Sequence, residues 1–194
     1  MRIVRAADCR KMPWKNGGGE TTEIAVSPAG TGLEDFDWRL SMARVAAGGP
    51  FSIFPGIDRT LAVLQGDGIE LTIEGMAPVA LTTASQPLAF PGDAPTRAAL
   101  VGGEVTDLNI MTRRGRVSHR MRQMAFAGRK ELCAEPGALL LFCRSGTLRI
   151  EFDGAAVALS PLDTLHLEAA PARLLLAADN AATLFLIGLT RIPA

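Results

Sequence analysis

The 194 residues contain no tyrosine, only 5% aromatics, two histidines and three cysteines. Each scarcity removes a class of chemistry. Cys9, Cys133 and Cys143 are odd in number, far apart and form no C-x-x-C pair, which argues against a disulfide framework or a zinc knuckle. They are expected to be reduced and mostly buried, packing as small hydrophobes. His119 and His166 have no histidine two or four positions away, so the spacing of a histidine-based metal site is missing. There is no G-x-S-x-G elbow and no G-x-x-x-x-G-K-[ST] loop, so neither covalent catalysis nor phosphate cradling is indicated. Neither sign of charge prevails: 20 Lys and Arg balance 20 Asp and Glu, and no basic field is available for nucleic acid or an anionic membrane. Long apolar runs are also lacking. Arg5, Asp8 and Arg10 break MRIVRAADCR before a signal core can form, and no later stretch approaches 18 uncharged apolar residues, so a cytoplasmic location is expected.

What the chain does have is 20 glycines and 12 prolines, set between short runs of alternating or β-branched residues. Strands are expected in ETTEIAV from Glu20, DWRLSMA from Asp37, TLAVLQ from Thr60, IELTIE from Ile69 and VTDLNIM from Val105. The series continues with ALLLFC from Ala138, TLRIEF from Thr147, DTLHLE from Asp163, ARLLLAA from Ala172 and TLFLIGL from Thr183. In DWRLSMA, Trp38, Leu40 and Met42 form an apolar face opposite Arg39, Ser41 and Ala43. Helix is limited to a turn or two; RRGRVSHRMRQMAF suits either a helical turn or an exposed crossover. The class is all-β, a sandwich or barrel.

A weak internal repeat refines this. LQGDGIELTIEGMAPVAL is answered by CRSGTLRIEFDGAAVALS, and FPGDAPTRAALVGGEVTDLNIM by LSPLDTLHLEAAPARLLLAADNAATLFLIGL. The order of turns and strands is that of a cupin, so a bicupin is expected: two small antiparallel β-barrels in tandem. The first covers residues 1–115 with its Gly-rich N-terminal segment. The second covers 116–194 with the crossover.

Cupin barrels usually hold a divalent metal on two histidines of an H-x-H, a glutamate and a distant histidine. Sliding that motif over PFSIFPGIDRTLAVLQG puts Ser52 and Phe54 at the histidine positions and Arg59 at the glutamate position, so no metal or other cofactor is expected. A guanidinium with Ser and Asn donors instead suits a carboxylate or formyl oxygen. A surface pair between Arg59 and Asp58 is the plainer alternative. In MPWKNGGGETTEIA, three consecutive glycines imply a sharp turn or close approach, and Lys15 and Asn16 before them offer a cation and an amide. In VTDLNIM, Asp107, Asn109 and Met111 share one face. Asn109 suits a ligand carbonyl, whereas Asp107 equally suits capping Arg113 or Arg114.

Taken together, MPWKNGGGETTEIAVSP, FDWRLSMARVAAGGPFSIFPGIDRTLAVLQGDGIEL, FPGD and DLNIMTRRG resemble the HutD/Ves family of bacterial proteins. The resemblance implies a cytoplasmic bicupin linked to histidine utilisation. It also implies a metal-free small-molecule pocket in the first barrel, for formate or N-formylglutamate, and a governing role over flux in place of an established reaction. Carried over motif by motif, it gives Lys15, Asn16, Arg59 and Asn109 as pocket candidates, to which the cupin alignment adds Ser52. Two classes of function stay open: a ligand-binding regulatory protein, and a metal-independent cupin isomerase or hydrolase acting on a small acylated amino acid. A Ves-like stress-induced branch is a further alternative. The expected partner is a small anionic or formylated metabolite, and a homodimer through an exposed strand edge also stays open.

Overall fold

The computed structural model describes residues 1–14 and 18–193. In chain order the strands are β1 (Arg2–Val4), β2 (Arg10–Pro13), β3 (Gly19–Ser27), β4 (Trp38–Val45), β5 (Gly49–Pro50), β6 (Ile57–Gln65), β7 (Ile69–Ile73), β8 (Val79–Leu81) and β9 (Leu88–Pro91). They continue as β10 (Thr96–Leu100), β11 (Val105–Arg113), β12 (Val117–Cys133), β13 (Ala138–Ser145), β14 (Leu148–Phe152), β15 (Ala155–Leu159), β16 (Thr164–Leu167) and β17 (Arg173–Arg191). Among the described residues, helix is confined to one 3-10 turn at Ala6–Asp8.

The chain divides into two compact units, Arg10–Ser118 and Met1–Cys9 with His119–Pro193. In the first, a six-stranded sheet runs β2-β3-β4-β11-β6-β9 and a four-stranded sheet runs β5-β10-β7-β8. Strict alternation in β7 buries Ile69, Leu71 and Ile73 and exposes Glu70 and Thr72, as a strand with one solvated face requires. Those three join Leu61, Val63, Phe90 and Val105 in one core, each side chain contributing about 1.5–3 kcal/mol on burial. The second unit is one sheet, β1-β16-β13-β17-β14-β15, with β12 on β17. Its core joins Leu139, Leu141, Cys143, Ile150, Leu165, Leu176 and Leu184.

The two units repeat one pairing scheme. β6 pairs with β9 and β11, as β13 pairs with β16 and β17. β7 pairs with β8 and β10, as β14 pairs with β15 and β17. Gly66 and Gly146 occupy matching turns at positive φ, +97° and +78°. An added Cβ at Gly66 would meet Glu104 and Val105, and at Gly146 it would meet Ala181 and Ala182, in both cases the start of the last paired segment. The strand from Val105 therefore answers that from Thr183. The downstream match differs from the sequence reading: β16 answers β9, so FPGD lines up with the EAAPA segment after β16 and not with SPLD before it.

Three further expectations are corrected. Residues 117–133 form neither a crossover nor a helical turn but the 17-residue strand β12, in which Met124 and Phe126 pack against the second core. ARLLLAA and TLFLIGL are one strand, β17, whose two parts pair with β14 and β13. The first nine residues, expected in the first barrel, fold with the second unit. β1 runs antiparallel to β16, Arg2 opposite His166 and Val4 opposite Thr164. Asp163 fixes the segment, accepting from Arg5 Nη1 at 2.7 Å and from the amides of Ala6 and Ser160 at 3.0 Å.

Candidate functional site

In the six-stranded sheet of the first unit, directly opposed residues share a face. Met111 on β11 lies opposite Arg39 on β4 and Arg59 on β6, Asn109 opposite Ser41 and Leu61, and Asp107 opposite Ala43 and Val63. Because Leu61 and Val63 belong to the first core, this is the interior face. The polar stripe Arg39–Ser41, which the alternation of DWRLSMA sets against an apolar face, thus points inward. Arg39, Ser41, Arg59, Asp107 and Asn109 are all buried.

Arg39 is matched: Nε donates to Glu23 Oε2 at 2.8 Å and Nη1 to Ser41 Oγ at 3.4 Å. Arg59 is held differently. Its guanidinium carbon lies 5.0, 5.7 and 5.3 Å from the ring centroids of Phe51, Phe54 and Phe90, within cation–π range of all three. Its Nε has no hydrogen-bond partner, and neither do Asp107 Oδ1 and Asn109 Oδ1. Burial drives both charged groups toward neutrality. Arg59 falls to about 10, opposed by attraction to Asp107, while Asp107 rises to about 7, opposed by attraction to Arg59. Unpartnered polar atoms in a core cost about 1–3 kcal/mol each, so three of them on one interior face single it out as the candidate site.

The surface pairing of Arg59 with Asp58 is not formed. Asp58 lies on the opposite face of β6 and accepts from Arg114 at 2.7 and 3.0 Å; Arg114 also reaches Asp93 at 3.0 Å. Arg113 is spent on the carbonyls of Phe36 and Glu34, so Asp107 caps neither arginine. Ser52 is exposed in the loop before β6 and does not join the buried group. Lys15 and Asn16 lie outside the described residues. Of the glycine run, Gly19 shows the expected close approach, packed against the Arg44 carbonyl and the Trp14 ring where a Cβ has no room. Trp14 is fixed there by its Nε1 donating to Thr21 Oγ1 at 2.8 Å.

A guanidinium, an amide and a single acid do not supply the imidazole and carboxylate donors that a cupin metal needs, so the residues present do not fit one. What they offer is one cationic donor flanked by acceptors in a desolvated place, suited to a small planar ligand with an oxygen for Arg59. Sequence reasoning missed the three-ring cage and Arg39. The signal for the cage was present as PFSIFPG and AFPGD, two Phe-Pro-Gly segments of which β9 brings the second beside β6.

A family model described as HutD matches residues 6–186. An uncharacterized 21.2 kDa protein in the hutC 3' region of Pseudomonas putida is 37% identical over 175 residues, 87% of each chain. Protein Ves of Citrobacter koseri is 44% identical over 120 residues, 59% of this chain and 61% of its own. The solved structure of HutD from Pseudomonas fluorescens SBW25, described as the formate condition, is similar with a TM-score of 0.82 at 33% identity over 98% of both chains. At 14% identity and a TM-score of 0.60, a cupin 2 conserved barrel domain protein from Leptotrichia buccalis shows a shared fold alone. The all-β, cupin-type architecture expected from the sequence is the one found.

Proposed function

The chain belongs to the HutD family, and from that premise we propose that its first unit is a receptor for a small carboxylate or formylated metabolite, anchored by Arg59, through which it modulates histidine catabolism in the cytoplasm. The observation that carries this reading is the buried Arg59 guanidinium, faced by three phenyl rings and holding an unused Nε donor. The guanidinium's planar fork of N–H donors matches a planar carboxylate or formyl group. Two named relatives support the context: the Pseudomonas putida protein by its place beside hutC, and the Pseudomonas fluorescens HutD by its formate condition.

Asn109 orients the ligand and Arg59 supplies most of the affinity, since a charge-assisted hydrogen bond is worth roughly 1.5–3 kcal/mol against about 1 for a neutral one. Calorimetric titration with formate and with N-formyl-L-glutamate is the test. Arg59→Ala should weaken binding about tenfold to a hundredfold, Arg59→Lys should restore little, and Asn109→Ala should cost less. Equal affinities across these variants, each with an unchanged Tm, would place the ligand elsewhere. A second reading, a metal-independent isomerase or hydrolase, is favoured by one observation, the buried acid Asp107 on the same stripe. Product accumulating alongside the binding heat would select it.

A further inference from the structure

We propose that Asp107 is a ligand-facing residue of this site and that an anion binds there together with one proton, taken from solution by the Asp107 carboxylate. The inference rests on the receptor reading above and adds to it the way in which the site responds to its surroundings.

The argument begins with the charges around Asp107. On its own strand the residues sharing its face are Val105, Asn109, Met111 and, at the far end, Arg113, which is taken up by the carbonyls of Phe36 and Glu34. From β6 come Val63, Leu61 and Arg59; from β4, Ala43, Ser41 and Arg39; from β3, Thr21 and Glu23. Across the unit, β7 and β10 contribute Ile69, Leu71, Ile73, Ala98 and Leu100 to the same core, none of them charged. Arg44, Glu20, Thr106 and Asp58 belong to the opposite faces of their strands. Among the described residues facing Asp107, Arg39 is already matched by Glu23 at 2.8 Å. Among the described residues of this face, Arg59 is thus the one cation left to balance both Asp107 and an incoming anion.

One cation cannot balance two anions in a place this dry. With Asp107 ionised, a carboxylate seated on Arg59 would leave a net negative charge among phenyl rings and aliphatic side chains, which is costly without a further partner. A proton on Asp107 removes that charge. It also turns the unpartnered Oδ1 from a second acceptor into an O–H donor toward the ligand oxygen. The proton comes from the solvent, Arg59 remains protonated, and the complex carries the same net charge as the empty site with Asp107 ionised. Burial already holds Asp107 near neutrality at about 7, and the ligand's own charge pushes it further in the same direction.

Formate is a suitable probe because it stays ionised throughout the relevant range. Its affinity should be flat below about pH 6.5 and fall about tenfold per pH unit once Asp107 ionises in the free protein. Titration at pH 8 in two buffers of different ionisation enthalpy should report close to one proton taken up per formate bound. Asp107→Asn keeps the shape and supplies a neutral donor. It should bind formate with no pH dependence between 6 and 9, more tightly than wild type at pH 8, and with no proton uptake. Uptake near zero in the wild-type protein, with formate bound in an Arg59-dependent manner, overturns the proton linkage and leaves the receptor reading standing. Uptake that survives Asp107→Asn assigns the proton to another group and overturns it likewise. Formate binding that Arg59→Ala does not alter defeats both readings together.

Discussion

Replacing Arg59 with methionine should separate two properties that usually fall together, abolishing ligand binding while raising stability. Desolvation lowers the Arg59 pKa to about 10, and at about 1.4 kcal/mol per pKa unit the buried charge costs on the order of 3 kcal/mol. The three rings return part of this, each cation–π contact offering about 0.5–1 kcal/mol. Methionine fills much of the same volume and keeps favourable contacts of its own with the rings, about 0.3–1.5 kcal/mol. Truncating a buried charge normally strands its partner, but at pH 6 Asp107 is mostly protonated and Arg59 Nε has no partner to lose. The net expectation is a gain of about 1–2 kcal/mol, or roughly 2–6 °C in Tm. Calorimetry at pH 6, paired with formate titration of the same samples, is the assay. A loss of about 3 kcal/mol or more would refute the reasoning, because Arg59 would then be a structural cation satisfied by its cage. Retained formate affinity would refute it from the other side.

Asp107 should make the empty protein lose stability as pH rises. Its folded pKa of about 7 lies above the unfolded value, so its contribution is complete below about pH 4 and is lost as pH climbs through 7. The change is on the order of 4 kcal/mol; denaturant titrations at pH 5 and 8 should show the slope and Asp107→Asn should remove it. Gly66→Ala and Gly146→Ala should each cost about 1–3 kcal/mol, since both combine positive φ with backbone inside 3 Å of the new Cβ. An Ala variant at either turn with unchanged Tm would contradict this. Asp163→Ala should lower stability by about 2–3 kcal/mol and speed hydrogen exchange at residues 2–8, because it removes the acceptor for Arg5 and the Ala6 amide; unchanged exchange there would mean that β1 pairing alone holds the segment.

Most of the fold was legible in the sequence because alternation and Gly or Pro turns coincide in strands such as β7 and β14, where one face is apolar and the other solvated. Legibility failed where that rule fails. Both faces of β4 are largely buried, so alternation separates its polar stripe from its apolar one without telling which of them lines the interior. β12 carries six basic or amide side chains among its apolar ones, and only its partner β17 shows that it is a strand. At the site, Arg59 and Asn109 were identified from motif position, and the face shared by Asp107, Asn109 and Met111 from period two alone. The ring cage needs Phe90 on β9 to come beside Arg59 on β6, a long-range pairing that no local pattern encodes. The FPGD match failed for a related reason: similar turns recur one strand apart, and only the pairing partners decide which correspond.

The residence of β1 in the second unit also sets an order on synthesis. A ribosome delivers the first nine residues early, yet β16, on which β1 pairs, emerges only after all of Arg10–Ser118. Roughly 75 further residues follow Ser118 before the second unit is complete, about 4–15 s at about 5–20 residues per second. During that interval the first unit has every strand it needs, while Arg2–Val4 waits as an unpaired edge beside Arg5, whose partner Asp163 does not yet exist. The second half is therefore not a cassette that can be cut out and moved. Taken from His119 onward, it lacks the strand that closes one edge of its sheet, and evolution could shuffle it intact only by carrying the nine residues from the far end of the chain.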